Sequence, residues 1–185
     1  MANIDAPFGF RPSGKVGGNP DNGALSQFTI LDADNTTMFQ GDLVKLASGG
    51  VTDAAVADAG LMVFNGIQFD DPTTGKPTFK NQYGGNTTAD ADIDCFVYDD
   101  PYQVYEAQGD SETAASQAMV GTYMDHLETH SGNTTTGISG DEIDVSDTST
   151  TLSGVKFLGL AKTPGNSFGV HNVLRCFIAE SVHVN

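Results

Sequence analysis

No tryptophan occurs in the chain, and only two cysteines and 8 lysines and arginines stand among its 185 residues. The shortage of base is the most restrictive. Against 24 aspartates and glutamates it leaves a net charge of −16. Such a surface repels nucleic-acid phosphates and anionic membranes, so neither is expected as a partner. No stretch approaches the roughly 18 apolar residues of a membrane span. The opening residues lack a basic region followed by an apolar run of about 7–15 residues, so no secretory leader is read there and synthesis in the cytoplasm is expected. Cys95 and Cys176 lie in the apolar runs DCFVY and RCFIA. They read as two buried strand thiols, because free cysteine packs as a small hydrophobe. A disulfide between them is geometrically open, but no secretory signal supports one.

Catalytic patterns are missing as well. There is no P-loop and no dinucleotide-binding glycine run. No spacing among serine, histidine and aspartate selects a triad, and no basic–aromatic interleaving marks a nucleic-acid face. Neither catalysis nor a cofactor is expected.

What is present points to β structure. The 22 glycines and 11 phenylalanines suit a sheet protein with many turns better than a helical bundle. ALSQFTIL, FQGDLVKLAS, GLMVFNGIQFDD, ADIDCFVY, YQVYEAQ and VKFLGLAKT read as strands separated by turn residues. In HNVLRCFIAESVHV, the set Leu174, Cys176 and Ile178 is assigned inward. The predicted fold is mainly β, a small β-barrel or sandwich spanning residues 24–185. An extended N-terminal arm and connector, residues 1–23, precedes it. A long acidic loop insert at about 109–150 interrupts it, with one short helix over DSETAASQAMVG, capped by Ser111 and ended by Gly121. No Lys or Arg lies between Lys80 and Lys156, an interval with 14 acidic residues. The arm balances its charges, so a neutral face and an acidic, solvated face are expected.

Three features hint at ion or glycan chemistry. DADIDC resembles the start of a calcium loop, but Cys95 and Pro101 stand where the loop needs glycine and glutamate. A solvated acidic stripe of Asp90, Asp92 and Asp94 opposite Ala91, Ile93 and Cys95 is the expected reading. HLETH sets His126 and His130 four apart, yet Leu127 occupies the glutamate position of H-E-x-x-H and no third ligand is indicated. No metal is expected from that pair. NTT recurs at Asn35, Asn86 and Asn133 and reads as polar turns.

Five blocks carry a resemblance. MANIDAPFGFRP, QGDLVKLASGGV, VFNGIQFDD, CFVYDDPYQVYEAQ and FLGLAKTPGNSFGVHNVLRCFIAE are similar to the capsid decoration (cement) proteins of tailed bacteriophages, particularly small virion proteins of marine phages. The resemblance spans most of the chain and is weakest over residues 109–150. It implies a virion protein on the outer capsid surface, often trimeric, that bridges major capsid subunits and resists internal DNA pressure. Alternatives are another minor virion component, such as a head-fibre base, and a host-surface or glycan-binding module.

The opening block is the candidate binding element. Ile4, Pro7, Phe8, Phe10, Arg11 and Pro12 form a segment without hydrophobic periodicity. One expectation is an arm that is mobile off the capsid and anchors Phe8 and Phe10 in pockets of a neighbouring subunit. The other is that it folds back and covers its own domain.

Overall fold

The computed structural model describes residues 3–18, 20–21, 23–85, 91–110 and 112–183. Among the described residues fifteen strands follow one another: β1 (Arg11–Lys15), β2 (Ser26–Ile30), β3 (Thr37–Phe39), β4 (Leu43–Ala47), β5 (Gly50–Asp53), β6 (Leu61–Asp70), β7 (Pro77–Lys80), β8 (Gln82–Gly84), β9 (Ile93–Tyr98), β10 (Gln103–Gln108), β11 (Tyr123–Met124), β12 (His126–Leu127), β13 (Glu142–Ile143), β14 (Val155–Leu160) and β15 (Val173–Ile178). One sheet has the order β1-β10-β15-β14-β11. The other runs β2-β9-β6-β4-β5, with β7 also on β6. Two further pairs, β3-β8 and β12-β13, stand apart. The fold is mainly β and sandwich-like; among the described residues no sheet closes into a barrel.

The apolar run LMVF in β6 shows why a sandwich forms. Leu61 and Val63 enter one buried cluster with Tyr105, Phe157, Leu174 and Cys176 of the five-stranded sheet. Met62 and Phe64 enter a second cluster with Met38 and Tyr83 from the β3-β8 pair. A strand buried on both faces reads as a continuous apolar run rather than an alternation. β15 has the opposite pattern. Leu174, Cys176 and Ile178 are buried while Val173, Arg175 and Phe177 are not, as assigned from the sequence. Cys95 and Cys176 are both buried free thiols, and they belong to opposite clusters, which keeps them from pairing.

Three sequence expectations are corrected. The first is the separate arm. Pro12 and its neighbours in β1 pair antiparallel with β10, from Arg11↔Glu106 to Lys15↔Gln103, and Phe10 is 1% exposed inside the first cluster. The segment supplies an edge strand to a sheet that would otherwise expose the backbone of β10.

The second is the helix over residues 111–121. Ser111 lies outside the described residues, and the rest of the stretch holds a single 3-10 turn at Gln117–Met119. A helix this short is marginal alone. The Ala115 N–H instead donates to the Gly169 carbonyl at 2.9 Å, and Ala115 is buried.

The third is the solvated insert. Met124, Ile143 and Val145 are core residues, and Asp110, Asp125, Asp141 and Glu142 are buried with them. Two of these acids replace secondary structure as hydrogen-bond partners. Asp110 accepts from the N–H groups of Val145 and Glu112, each at 3.2 Å, and Asp141 accepts from that of Leu43 at 3.1 Å. A carboxylate that satisfies buried main-chain N–H groups lets irregular backbone enter a core. The division into a neutral arm face and an acidic, water-facing insert therefore fails as a description of the insert.

Candidate functional site

Two recesses adjoin residues 39–42, where the N-terminal segment crosses the domain. The crossing is built from glycine. Gly9 has φ +67°, and a Cβ there would sit 2.4 Å from the Ser139 Cβ and 2.7 Å from the Gly41 carbonyl oxygen. Gly41 has φ +102° and faces Gly9 in turn. Only two side-chain-free residues allow the backbones to pass this closely. The Phe10 N–H donates to the Gly41 carbonyl at 2.8 Å, and the Gly41 N–H to that of Phe64 at 2.9 Å. Further upstream, the buried Gln108 amide accepts from the Ala6 N–H and donates to the Ile4 carbonyl, each at 2.9 Å. The Asn3 amide donates to the carbonyls of Ser167 and Val170. These bonds lay residues 3–12 against the domain, the arrangement of the second expectation.

The six residues predicted as the binding arm separate accordingly. Phe10 is internal. Ile4 is 79% exposed, Arg11 is exposed, and Pro7, Phe8 and Pro12 are half-buried. The Arg11 guanidinium lies 4.3 Å from the centre of the Phe8 ring, a cation–π stack. Phe8, Arg11 and Pro12, with Gln40, Asn65 and Ile138, line an open groove of about 330 Å³. Ile138 is itself an exposed apolar residue. A rim mixing an aromatic ring, a guanidinium and amides around an apolar floor suits a protein surface.

The second recess, about 370 Å³, is acidic. Asp42, Asp53, Glu128 and Asp141 line it together with His130, and no Lys or Arg does. Burial pushes the Asp42 carboxyl up to about 6, against the bonds it accepts from Ser139 and Phe39. Burial, and then the charge of Asp42, pushes Asp53 up to about 7. Asp141 is held well above the carboxylate range, by burial first and the Asp42 charge second. Sequence reasoning missed this pocket, because its acids come from four separate strands and loops and no local spacing announces them.

The remaining motifs resolve as surface or packing features. Asp92 and Asp94 are exposed while Ile93 and Cys95 are buried, as predicted; Asp90 lies outside the described residues. His126 and His130 diverge. His126 is fully buried, its Nε2 3.1 Å from the Ala54 carbonyl, and His130 is exposed. Asn133 accepts the N–H groups of Thr135 and Thr136 and forms a polar turn, whereas Asn86 is outside the described residues. Among the described residues, no helix is long and apolar enough to cross a membrane. No protein-family model, no curated protein and no solved structure matches the chain.

Proposed function

We propose that the chain is a structural virion protein that binds the outer surface of a tailed-phage capsid, as a homotrimer, and stabilises the lattice of the major capsid protein. The position of the five decoration-protein-like blocks carries this reading. QGDLVKLASGGV covers β4 and the start of β5, VFNGIQFDD covers most of β6, CFVYDDPYQVYEAQ runs from within β9 through β10, and the last block runs from within β14 through β15. Those blocks overlap every central strand of both sheets. MANIDAPFGFRP is the crossing that seals the first core and lines the mixed groove. The resemblance thus follows the framework, and the dissimilar stretch is the irregular insert. The contact face is the groove rim, with Phe8, Arg11 and Pro12 on it, and Ile4 is an exposed apolar group of the same segment outside the groove. Phe10 is not among them.

The test is reconstitution. Purified chain added to capsids that lack it is expected to occupy hundreds of symmetric positions in electron micrographs. Arg11→Ala combined with Phe8→Ala is expected to lower occupancy while the fold persists. A few copies at one vertex identify a head-fibre base instead. Glycan binding without capsid binding identifies a host-surface module and refutes the proposal. Self-repulsion at −16 weakens association in low salt. Trimers are therefore sought by sedimentation at raised ionic strength and on the capsid, and monomers under both conditions refute the trimer.

A further inference from the structure

We propose that Asp5, His130 and Glu142 form a binding site for a divalent transition-metal ion of the zinc type, which staples the N-terminal segment to the insert. This inference stands independently of the capsid reading.

The three residues come from distant parts of the chain: the segment before β1, the loop between β12 and β13, and β13 itself. One ligand atom from each lies within 4.8 Å of the other two. The His130 ring bridges them. Its Nδ1 is 2.9 Å from Glu142 Oε2, and its Nε2 is 3.9 Å from Asp5 Oδ2. A cation that takes the place of the proton between Nδ1 and Glu142 Oε2 binds both atoms at once, and the exposed Asp5 carboxylate, beside the same ring, closes in as the third ligand.

Glu142 supplies an independent observation. It is 2% exposed; Oε2 accepts from Thr129 at 3.0 Å and from His130, but Oε1 has no hydrogen-bond partner. A buried carboxylate oxygen without a donor is costly, and a metal ion satisfies it. On the other side of Asp5, the Nδ1 of His171 is also without a hydrogen bond and lies 3.7 Å from Oδ1. The neighbouring recess, lined by Asp42, Asp53, Glu128 and Asp141, shares His130 with the site and has no Lys or Arg in its lining to repel a cation.

The donor set selects the ion. Calcium and magnesium favour all-oxygen shells, whereas imidazole nitrogen with carboxylate oxygen suits zinc and its neighbours. Bonds of about 2.0–2.1 Å draw ligand atoms to within about 3.4 Å of each other. The side chains of Asp5 and His130 are 48% and 45% exposed, so they are free to make the roughly 1 Å approach this requires. Glu142 is held by packing and acts as the fixed point.

The experiment uses the full chain, stripped with chelator and titrated calorimetrically at neutral pH with zinc, and separately with calcium. One zinc per chain is expected, with at least tenfold preference over calcium and a rise in melting temperature. Asp5→Asn, at an exposed position, is expected to lower zinc affinity about 10–100-fold without moving the metal-free melting temperature, and His130→Ala to lower affinity as much while also lowering that temperature, because it removes a donor from the buried Glu142. Glu142→Gln keeps the shape of the buried side chain and is expected to do the same if it folds. His183→Ala, at an exposed histidine beside Asp99, serves as the control and is expected to leave affinity unchanged. Absence of saturable zinc binding overturns the proposal. Zinc bound equally well by the His130 and Asp5 variants lies elsewhere and overturns it too.

Discussion

Replacing Phe10 with alanine tests whether the N-terminal segment belongs to the domain. The ring is 1% exposed and packs edge-on against Tyr105, with centroids 6.5 Å apart and planes at 81°. Truncating a fully buried phenylalanine costs about 3–5 kcal/mol, part from lost transfer free energy and part from the cavity left behind. Collapse is hard here, because the backbone on either side is pinned by the Phe10–Gly41 hydrogen bond and by the pairing of β1 with β10. Domains of this type are stable by roughly 5–15 kcal/mol, so the loss is a large fraction of the total. At about 2–4 °C per kcal/mol for a chain of this size, the melting temperature is expected to fall by roughly 6–20 °C.

Phe8→Ala is the matched control. That ring is half-buried, and its distinctive contact is the Arg11 stack, worth about 0.5–1 kcal/mol near the surface. Urea unfolding followed by far-UV circular dichroism reads both variants on one scale. The reasoning is refuted if Phe10→Ala unfolds within 1 kcal/mol of the parent protein, or if Phe8→Ala costs as much. Either result returns the segment to a detached arm whose rings are saved for a partner.

Two further outcomes follow from buried groups. Asp42 and Asp53 carry folded pKa values of about 6 and about 7 against an ordinary 3.8. A carboxyl raised on folding binds its proton more tightly in the native state, so its protonation stabilises the fold and that contribution is lost as pH rises through about 4–7. Asp42 faces Ser139 and Glu128, and Asp53 faces Asp42, Glu128 and Asp34, none of them cationic. Up to about 3 kcal/mol from Asp42 is expected to vanish between pH 4 and 8. Asp53 is partly solvated and adds less than its shift implies. In chelator, unfolding free energy is therefore expected to be higher at pH 5 than at pH 8, with a flatter slope for Asp53→Asn; an unchanged slope removes Asp53 from the account. Burial pushes the Cys95 thiol up to about 12 and Cys176 higher still. Both are expected to react with a thiol reagent only on unfolding, and rapid labelling of either in the native protein contradicts the core assignment.

The legible parts of the fold are those whose signal is local. The alternation of β15 and the apolar run of β6 are visible in windows of six to ten residues, and so is the burial of both cysteines. The N-terminal segment is different. Its one core residue, Phe10, stands just outside the strand, and β1 is an edge strand of five residues containing Pro12. An edge strand tolerates proline and needs no period-two pattern, so nothing in the segment itself distinguishes it from a linker. What fixes it is β10, more than 90 positions along the chain, and the Gln108 amide that holds residues 4–6.

The candidate metal site was illegible for a related reason. A spacing such as HLETH is informative only when one element presents both residues to one side, as a helix does at four-residue separation. Here β12 contains His126 but ends at Leu127, so the two rings part company: one turns inward to Ala54, the other outward to Asp5 and Glu142. Composition misleads in the same region. Acidity reads as solvation, yet Asp110 and Asp141 lie in the interior because irregular backbone there needs acceptors that a sheet ladder does not provide, and Glu142 lies there bonded to the side chains of Thr129 and His130. Once such acceptors are buried, repulsion among them is unavoidable, and it is relieved either by protons or by a cation. Asp42, Asp53 and Asp141 take the first course. At Glu142 one oxygen is orphaned and the other lies against an imidazole, with a second carboxylate nearby, which is the donor set that favours the second.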